Sequence, residues 1–382
     1  MLTKYINHYM NFYKNKDFTM KNMVIKIILE ILITIAVLIV ITTIAFFAVS
    51  TGKIEPFSDK NGKILEGSIS EKIKISVNGA DNGLIIRGKN IENPVLLFVS
   101  SGPGTSDYFY NEAYPDMNLE DFYTVCYWDY RGMCLVYDKN IDPETITTKQ
   151  ILDDTKAVTE YLCERFNKEK IYIMGFSGGT HIALEAVEKW PEKYEAYFAM
   201  AQTVSSDEDN DTYMYDFMKK VFSERGDKKN LKKLEDSVNH IENSDKVVCK
   251  DWPSYVYLLH NAGGGTIKDK TEFSGIIIPI MKSHCYTVKE KFDYIKGMKM
   301  YRTTPFYKDV KARDYRTMIT KVDVPVYFIS GDTDYNCPWP LVKEYCEVLD
   351  APRKDFVLIP NSAHSPLWEN PKATIKYLTG LL

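Results

Sequence analysis

The sequence contains no C-x-x-C pair, no H-E-x-x-H, no G-x-x-x-x-G-K-[ST] and no G-x-G-x-x-G. The first absence excludes zinc ribbons and thioredoxin-type redox sites. The last two remove the usual phosphate and dinucleotide cradles. Neither sign of charge dominates, with 48 Lys and Arg against 52 Asp and Glu. Without a global basic field, nucleic acid is not an expected partner. Cysteine is present but odd in number, seven in 382 residues, and a chain of this length buries a core without disulfide staples. Most of the cysteines therefore read as small buried apolar residues. The acidic run Asp207, Glu208, Asp209 and Asp211 fails as a calcium loop, because its sixth position is Thr212 and its twelfth Met218. No metal and no cofactor is implied.

One long hydrophobic run is there. Residues 31–52 carry no charge, and Ile31 to Val49 is almost wholly Ile, Leu, Val, Ala and Phe. A bilayer core of about 30 Å takes roughly 20 helical residues, so the run fits one span. A buried core helix would keep a polar face over five turns. A cleaved signal peptide would not have a charged region reaching Lys26 or so long an apolar region. Lys4, Lys14, Lys16, Lys21 and Lys26 precede the run, and Lys53, Lys60 and Lys63 follow it. The positive-inside bias predicts a cytoplasmic tail over 1–29, a transmembrane helix over 30–52 in the cell membrane, and a body outside the cytoplasm.

After a polar linker over 53–71 the pattern changes to short β-type runs. Residues 72–77 and 84–88 read as a hairpin around Asn78-Gly79 and Asn82-Gly83. The continuous apolar runs 94–101 and 123–130 read as strands buried on both faces. A helix capped by Thr147 or Thr148, a strand over 170–176, a helix over 179–190 ended by Pro191 and a strand over 196–201 follow. Such alternation implies a mostly parallel α/β sheet flanked by helices. It stops over 204–318, where Leu231, Leu234, Val238 and Ile241 repeat at three and four. This stretch reads as a helical insertion, broken by a flexible joint at Gly263-Gly264-Gly265. The sheet pattern returns over 319–382, so the body divides into a core over 72–203, a cap, and the rest of the core.

Gly175-Phe176-Ser177-Gly178-Gly179 is a G-x-S-x-G between a strand and a helix. There the glycines relieve a sharp turn that lifts the Ser177 hydroxyl above the sheet. A serine needs a base, and His364 follows the last predicted strand, at the strand end where open α/β sheets form sites. The acid is expected after the strand ending at Gly331. Asp332 and Asp334 both qualify; Asp334 is preferred because three residues let the chain turn, with Asp332 left to satisfy the turn. His181, one helical turn beyond Ser177, is not the expected base. Ser100-Ser101-Gly102-Pro103-Gly104 follows the first buried parallel strand, and its Gly102 N–H, with that of Gly178, is the expected oxyanion hole. Asp129-Tyr130-Arg131-Gly132 reads as a buttress for that loop.

Together these residues resemble the α/β-hydrolase superfamily and, within it, the proline iminopeptidase-like serine peptidases, over roughly residues 72–382. Where that family usually has H-G-G-P-G, this chain has Ser100 in place of the His; of D-x-R-G-x-G-x-S it keeps Asp129-Tyr130-Arg131-Gly132. The resemblance implies an α/β-hydrolase fold with a helical cap and a triad of Ser177, Asp334 and His364. It also implies that cap acids hold the free amino group of a peptide, with Glu208 as the candidate. A serine nucleophile separates the chain from dehalogenases and epoxide hydrolases, which use Asp. The function read from this is a membrane-anchored serine hydrolase acting on small peptides or esters, an aminopeptidase before an ester hydrolase or a silent binding protein.

Overall fold

Neighbouring residues of the strand Val95–Val99 belong to different cores. Leu97 and Val99 join one buried apolar cluster, Leu96 and Phe98 another. A strand covered on both faces requires helices above and below it, as a parallel sheet does. The computed structural model describes residues 2–381 apart from Pro103, Met117 and Ser206, with side chains from residue 22 onward. The strands are β1 (Ile69–Val77), β2 (Ala80–Gly88), β3 (Val95–Val99), β4 (Thr124–Asp129), β5 (Ile171–Phe176), β6 (Tyr194–Met200), β7 (Val238–His240), β8 (Val247–Cys249), β9 (Val326–Gly331) and β10 (Lys354–Ile359). Eight form one sheet in the order β1-β2-β4-β3-β5-β6-β9-β10. The β1–β2 and β2–β4 pairs are antiparallel, and every other pair in this sheet is parallel. Helices Thr148–Arg165 and Gly179–Lys189 cover one face through Ile151, Val158, Leu162, Ala183 and Val187. Of the two possible caps, Thr147 is the one used: its hydroxyl accepts from the Gln150 N–H at 3.1 Å.

The chain divides into two units, residues 1–50 and 51–382. The first is one helix, Leu2–Val49, so the expected tail is helical as well. Its part Asn22–Val49 spans 28 residues and is long and apolar enough to cross a membrane, with a mean hydropathy reaching 3.0. Leu32, Ile33, Leu38, Ile44 and Phe47 are all exposed on it, an apolar surface on every side that water disfavours. The side chains of Lys4, Lys14, Lys16 and Lys21, on which the orientation reading rests, lie outside the described residues.

In the second unit, the residues read as a linker are tied down. The Gly52 N–H donates to the His284 carbonyl at 2.9 Å. Lys72 Nζ donates to the carbonyls of Gly52 and Cys285 and pairs with Glu290 at 2.7 Å. β1 begins at Ile69, inside that predicted linker. The cap has its own small core around Met214, Met218, Phe222, Tyr255 and Leu259. The repeat through Leu231, Leu234, Val238 and Ile241 is not one helix, for the helix Lys228–Asp236 ends and Val238 opens the β7–β8 hairpin. The chain reverses at Asn243, whose φ of 58° suits the short polar side chain that tolerates the left-handed region. All seven cysteines are free thiols.

Candidate active site

Ser177 stands at the end of β5 with φ at 52°, a strained conformation for a residue with a Cβ. The turn is held by the Ser177 N–H donating to the Met200 carbonyl at 3.0 Å and by the Thr180 hydroxyl donating to the Ser177 carbonyl at 2.5 Å. Its glycines are close-approach positions. A Cβ on Gly179 would meet the Val99 carbonyl oxygen at 2.3 Å, and one on Gly178 would meet Gly102 Cα at 2.7 Å. The elbow thus presses against the loop after β3.

His364 follows β10 and is buried. Its Nε2 lies 2.8 Å from Ser177 Oγ, and its Nδ1 lies 3.1 Å from both carboxylate oxygens of Asp334. Asp334 Oδ1 also accepts the backbone N–H groups of Asn336 and Cys337, at 3.1 and 3.0 Å. The carboxylate is therefore fixed before it meets the imidazole. Asp332 faces elsewhere and accepts the N–H groups of Asn361 and Ser362, at 2.9 and 3.2 Å. Glu369, which sequence reasoning passed over, clamps the histidine loop by accepting the N–H groups of Ala363, Ser365 and Lys268. Its signal was an acid five residues after the histidine, in a loop whose N–H groups need acceptors. His181 is occupied by the Tyr315 hydroxyl at 2.9 Å, and burial lowers its pKa to about 3, so it stays neutral at ordinary pH.

Among the described residues, the N–H groups of Gly102 and Gly178 have no protein acceptor. Pro103, between Gly102 and Gly104 in this loop, lies outside the described residues. Asp107 steadies the loop: it accepts the Ser101 N–H at 2.5 Å and the Ser101 hydroxyl at 2.7 Å. Burial pushes the Asp107 carboxyl up to about 7, against those two hydrogen bonds. Arg131 makes a buried two-point pair with Asp154, Nε at 2.5 Å and Nη2 at 2.7 Å, and its carbonyl accepts the Tyr301 hydroxyl. A Cβ on Gly104 would meet the same Tyr301 ring at 3.0 Å, so Arg131 supports the loop through this tyrosine.

Two cavities meet at Ser177. One of about 250 Å³ is lined by Ser101, Asp107, Phe176, Arg302 and His364. The other, about 540 Å³, is lined by Gly178, His181, Asp211, Cys249 and Lys311. Gly102, Ser177, Thr266, Glu272 and Asn336 line both. A cap groove of about 560 Å³ between Lys233 and Tyr257 touches none of these residues, so chemistry and not size singles out the site.

Glu208 is not brought to Ser177. It starts the helix Glu208–Glu224, lines neither cavity and lies 3.6 Å from Lys246. Acids at a helix N-terminus complement its dipole. Here Asp207 is also the cap, and Arg316 pairs with Asp207 and Asp209. The acid at the junction of the cavities is Glu272, which has no ion pair among the described residues. It sits beside the apolar run Phe273 to Ile280 and carries no motif that sequence reasoning could have used.

Residues 94–371 match the family described as alpha/beta hydrolase fold. The probable aminopeptidase YbaC of Bacillus subtilis (strain 168) is 28% identical over 309 residues, covering 80% of this chain and 93% of that protein. The fold is similar to that of a proline iminopeptidase from Mycobacterium smegmatis, with a TM-score of 0.54, 13% identity, and 81% of this chain and 97% of that one covered. It is also similar to a proline iminopeptidase-related protein from Thermus thermophilus, with a TM-score of 0.52, 16% identity, and 82% and 96% covered.

Proposed function

Because the chain belongs to the alpha/beta hydrolase fold family, we propose that it is a membrane-anchored serine hydrolase whose reaction is aminopeptidase cleavage of short peptides. The observation that carries this reading is the Ser177–His364–Asp334 array, 2.8 and 3.1 Å long, opening on cavities that share Glu272, a carboxylate with no ion pair among the described residues. Ser177 Oγ attacks the scissile carbonyl while His364 Nε2 takes its proton, and Asp334 orients the imidazole and stabilises its cation. The N–H groups of Gly102 and Gly178 hold the tetrahedral oxyanion. His364 then returns the proton to the leaving amine, and water releases the acyl group by the same steps. The ammonium of the substrate meets Glu272, in the role the resemblance assigned to Glu208.

The protein is expected to react with a fluorophosphonate at Ser177, to hydrolyse aminoacyl-arylamides with a free N-terminus and to leave their N-acetyl forms untouched. Glu272→Gln is expected to lower kcat/KM on the free substrate roughly 10- to 150-fold, the equivalent of a charge-assisted hydrogen bond of about 1.5–3 kcal/mol. Glu208→Gln is expected to leave it unchanged. Equal rates on free and acetylated substrates, or turnover of esters alone, would move the assignment to a carboxylic ester hydrolase. A folded protein that turns over neither class would be a binding protein.

The anchor reading rests on the apolar helix Asn22–Val49 and on the lysine excess before it. Protease added to intact cells is expected to digest the body after residue 52. Protection that ends only on lysis would reverse the orientation.

A further inference from the structure

Arg302 ends the helix Val288–Tyr301 and is exposed on the cavity that also holds Ser177 and His364. A helix C-terminus favours a cation there, but the guanidinium has five N–H donors to satisfy. Among the described residues it has no ion pair and no hydrogen-bond acceptor. Arg131, Arg313 and Arg316 are each closed on a carboxylate. Asp107, an acid of the same cavity, is engaged by Ser101. Arg302 and Glu272 are thus opposite charges, unpaired with each other, lining the space around one nucleophile.

The leaving group takes its proton from His364, so it must occupy the cavity that His364 lines. There it meets Arg302, while the ammonium of the acyl residue meets Glu272 at the junction. A dipeptide carries the complementary charges, an ammonium on the residue before the scissile bond and a carboxylate on the residue after it. We propose that Arg302 binds the free carboxylate of the leaving amino acid, so that the preferred substrate is a dipeptide or similarly short peptide with both ends free. A planar guanidinium suits this role because it grips a carboxylate through two parallel hydrogen bonds. The proposal rests on the aminopeptidase reading above.

The test compares a dipeptide with its C-terminal amide. In the wild-type protein kcat/KM for the acid is expected to exceed that for the amide by roughly tenfold or more, chiefly through KM. In Arg302→Gln the ratio is expected to fall towards one, and in Arg302→Lys to lie between. The ratio is taken within each variant, so a partly folded preparation does not distort it. A wild-type ratio near one, or an unchanged ratio in Arg302→Gln, overturns the proposal. If esters are hydrolysed and peptides are not, the aminopeptidase reading fails separately. Phenyl acetate and 4-carboxyphenyl acetate then pose the same question: a preference for the carboxylated leaving group that is lost in Arg302→Gln supports the site, and equal rates overturn it. If neither class is turned over, calorimetric binding of the dipeptide and its amide decides on the same ratio.

Discussion

Ser177→Ala is expected to lower kcat roughly 10⁴- to 10⁶-fold and to abolish fluorophosphonate labelling, with the protein still folded. The size follows from the division of labour in the site. In the mechanism proposed above, removing Oγ removes the bond-forming atom, while the N–H groups of Gly102 and Gly178 would still favour a polarised carbonyl. What is left is the modest acceleration of a site that binds and orients without a nucleophile. The fold should survive because the elbow is held by backbone and by Thr180, through the bonds to the Met200 and Ser177 carbonyls. None of these uses the Ser177 hydroxyl. The measurement is kcat on an arylamide and on a simple ester, beside a thermal melt. Turnover within tenfold of the wild type, in a protein that melts normally, would remove Ser177 from the chemistry.

The elbow could be read from the sequence because its requirements are local. A buried strand must leave the sheet, turn within a few residues and start a helix, and only glycine tolerates the contacts of Gly178 and Gly179 with the neighbouring loop. Those constraints are written into five consecutive residues. The central strands were legible for a related reason: runs buried on both faces, such as Val95–Val99 and Ile171–Phe176, have few other places in a protein of this size.

The cap was less legible. Its acids at 207–211 lie next to the sheet in sequence, which made Glu208 attractive. Yet a helix N-terminus attracts acids for its own sake, and Arg316 and Lys246 from distant segments pair with this group. Glu272 reaches the site through tertiary packing alone. Its neighbours in sequence, Thr271 and Phe273, say nothing about Ser177, which lies in another part of the fold. The same holds for β7 and β8. Val238 and Ile241 continue a helical spacing, and only the pairing of Val238 with Cys249 and the turn at Asn243 make the segment a hairpin. Short apolar runs do not distinguish the two periods.

The two aspartates after β9 separate by their partners, and this gives the second large effect. Asp334→Asn is expected to lower kcat by about 10⁴-fold, because the amide favours the wrong imidazole tautomer. The hydrogen bonds around Asp334 decide which way the amide would face. Oδ1 accepts the N–H groups of Asn336 and Cys337, so the oxygen of an asparagine would stay there. Its NH₂ would take the place of Oδ2, one of the two oxygens 3.1 Å from His364 Nδ1. As a donor it would leave the imidazole proton on Nε2, and Nε2 could no longer accept the proton of Ser177. Asp332→Asn removes the charge and one of the two acceptors that brace the turn at Asn361 and Ser362, but it leaves the His364 imidazole and its Asp334 partner untouched. Its expected cost is about 1 kcal/mol of stability and a change in kcat well under the hundredfold mark. Steady-state kcat for the two variants, each beside its own melting curve, gives the comparison. If Asp332→Asn were the more damaging to kcat and Asp334→Asn nearly silent, the carboxylate that orients His364 in catalysis would be Asp332, and the triad drawn from these distances would be wrong.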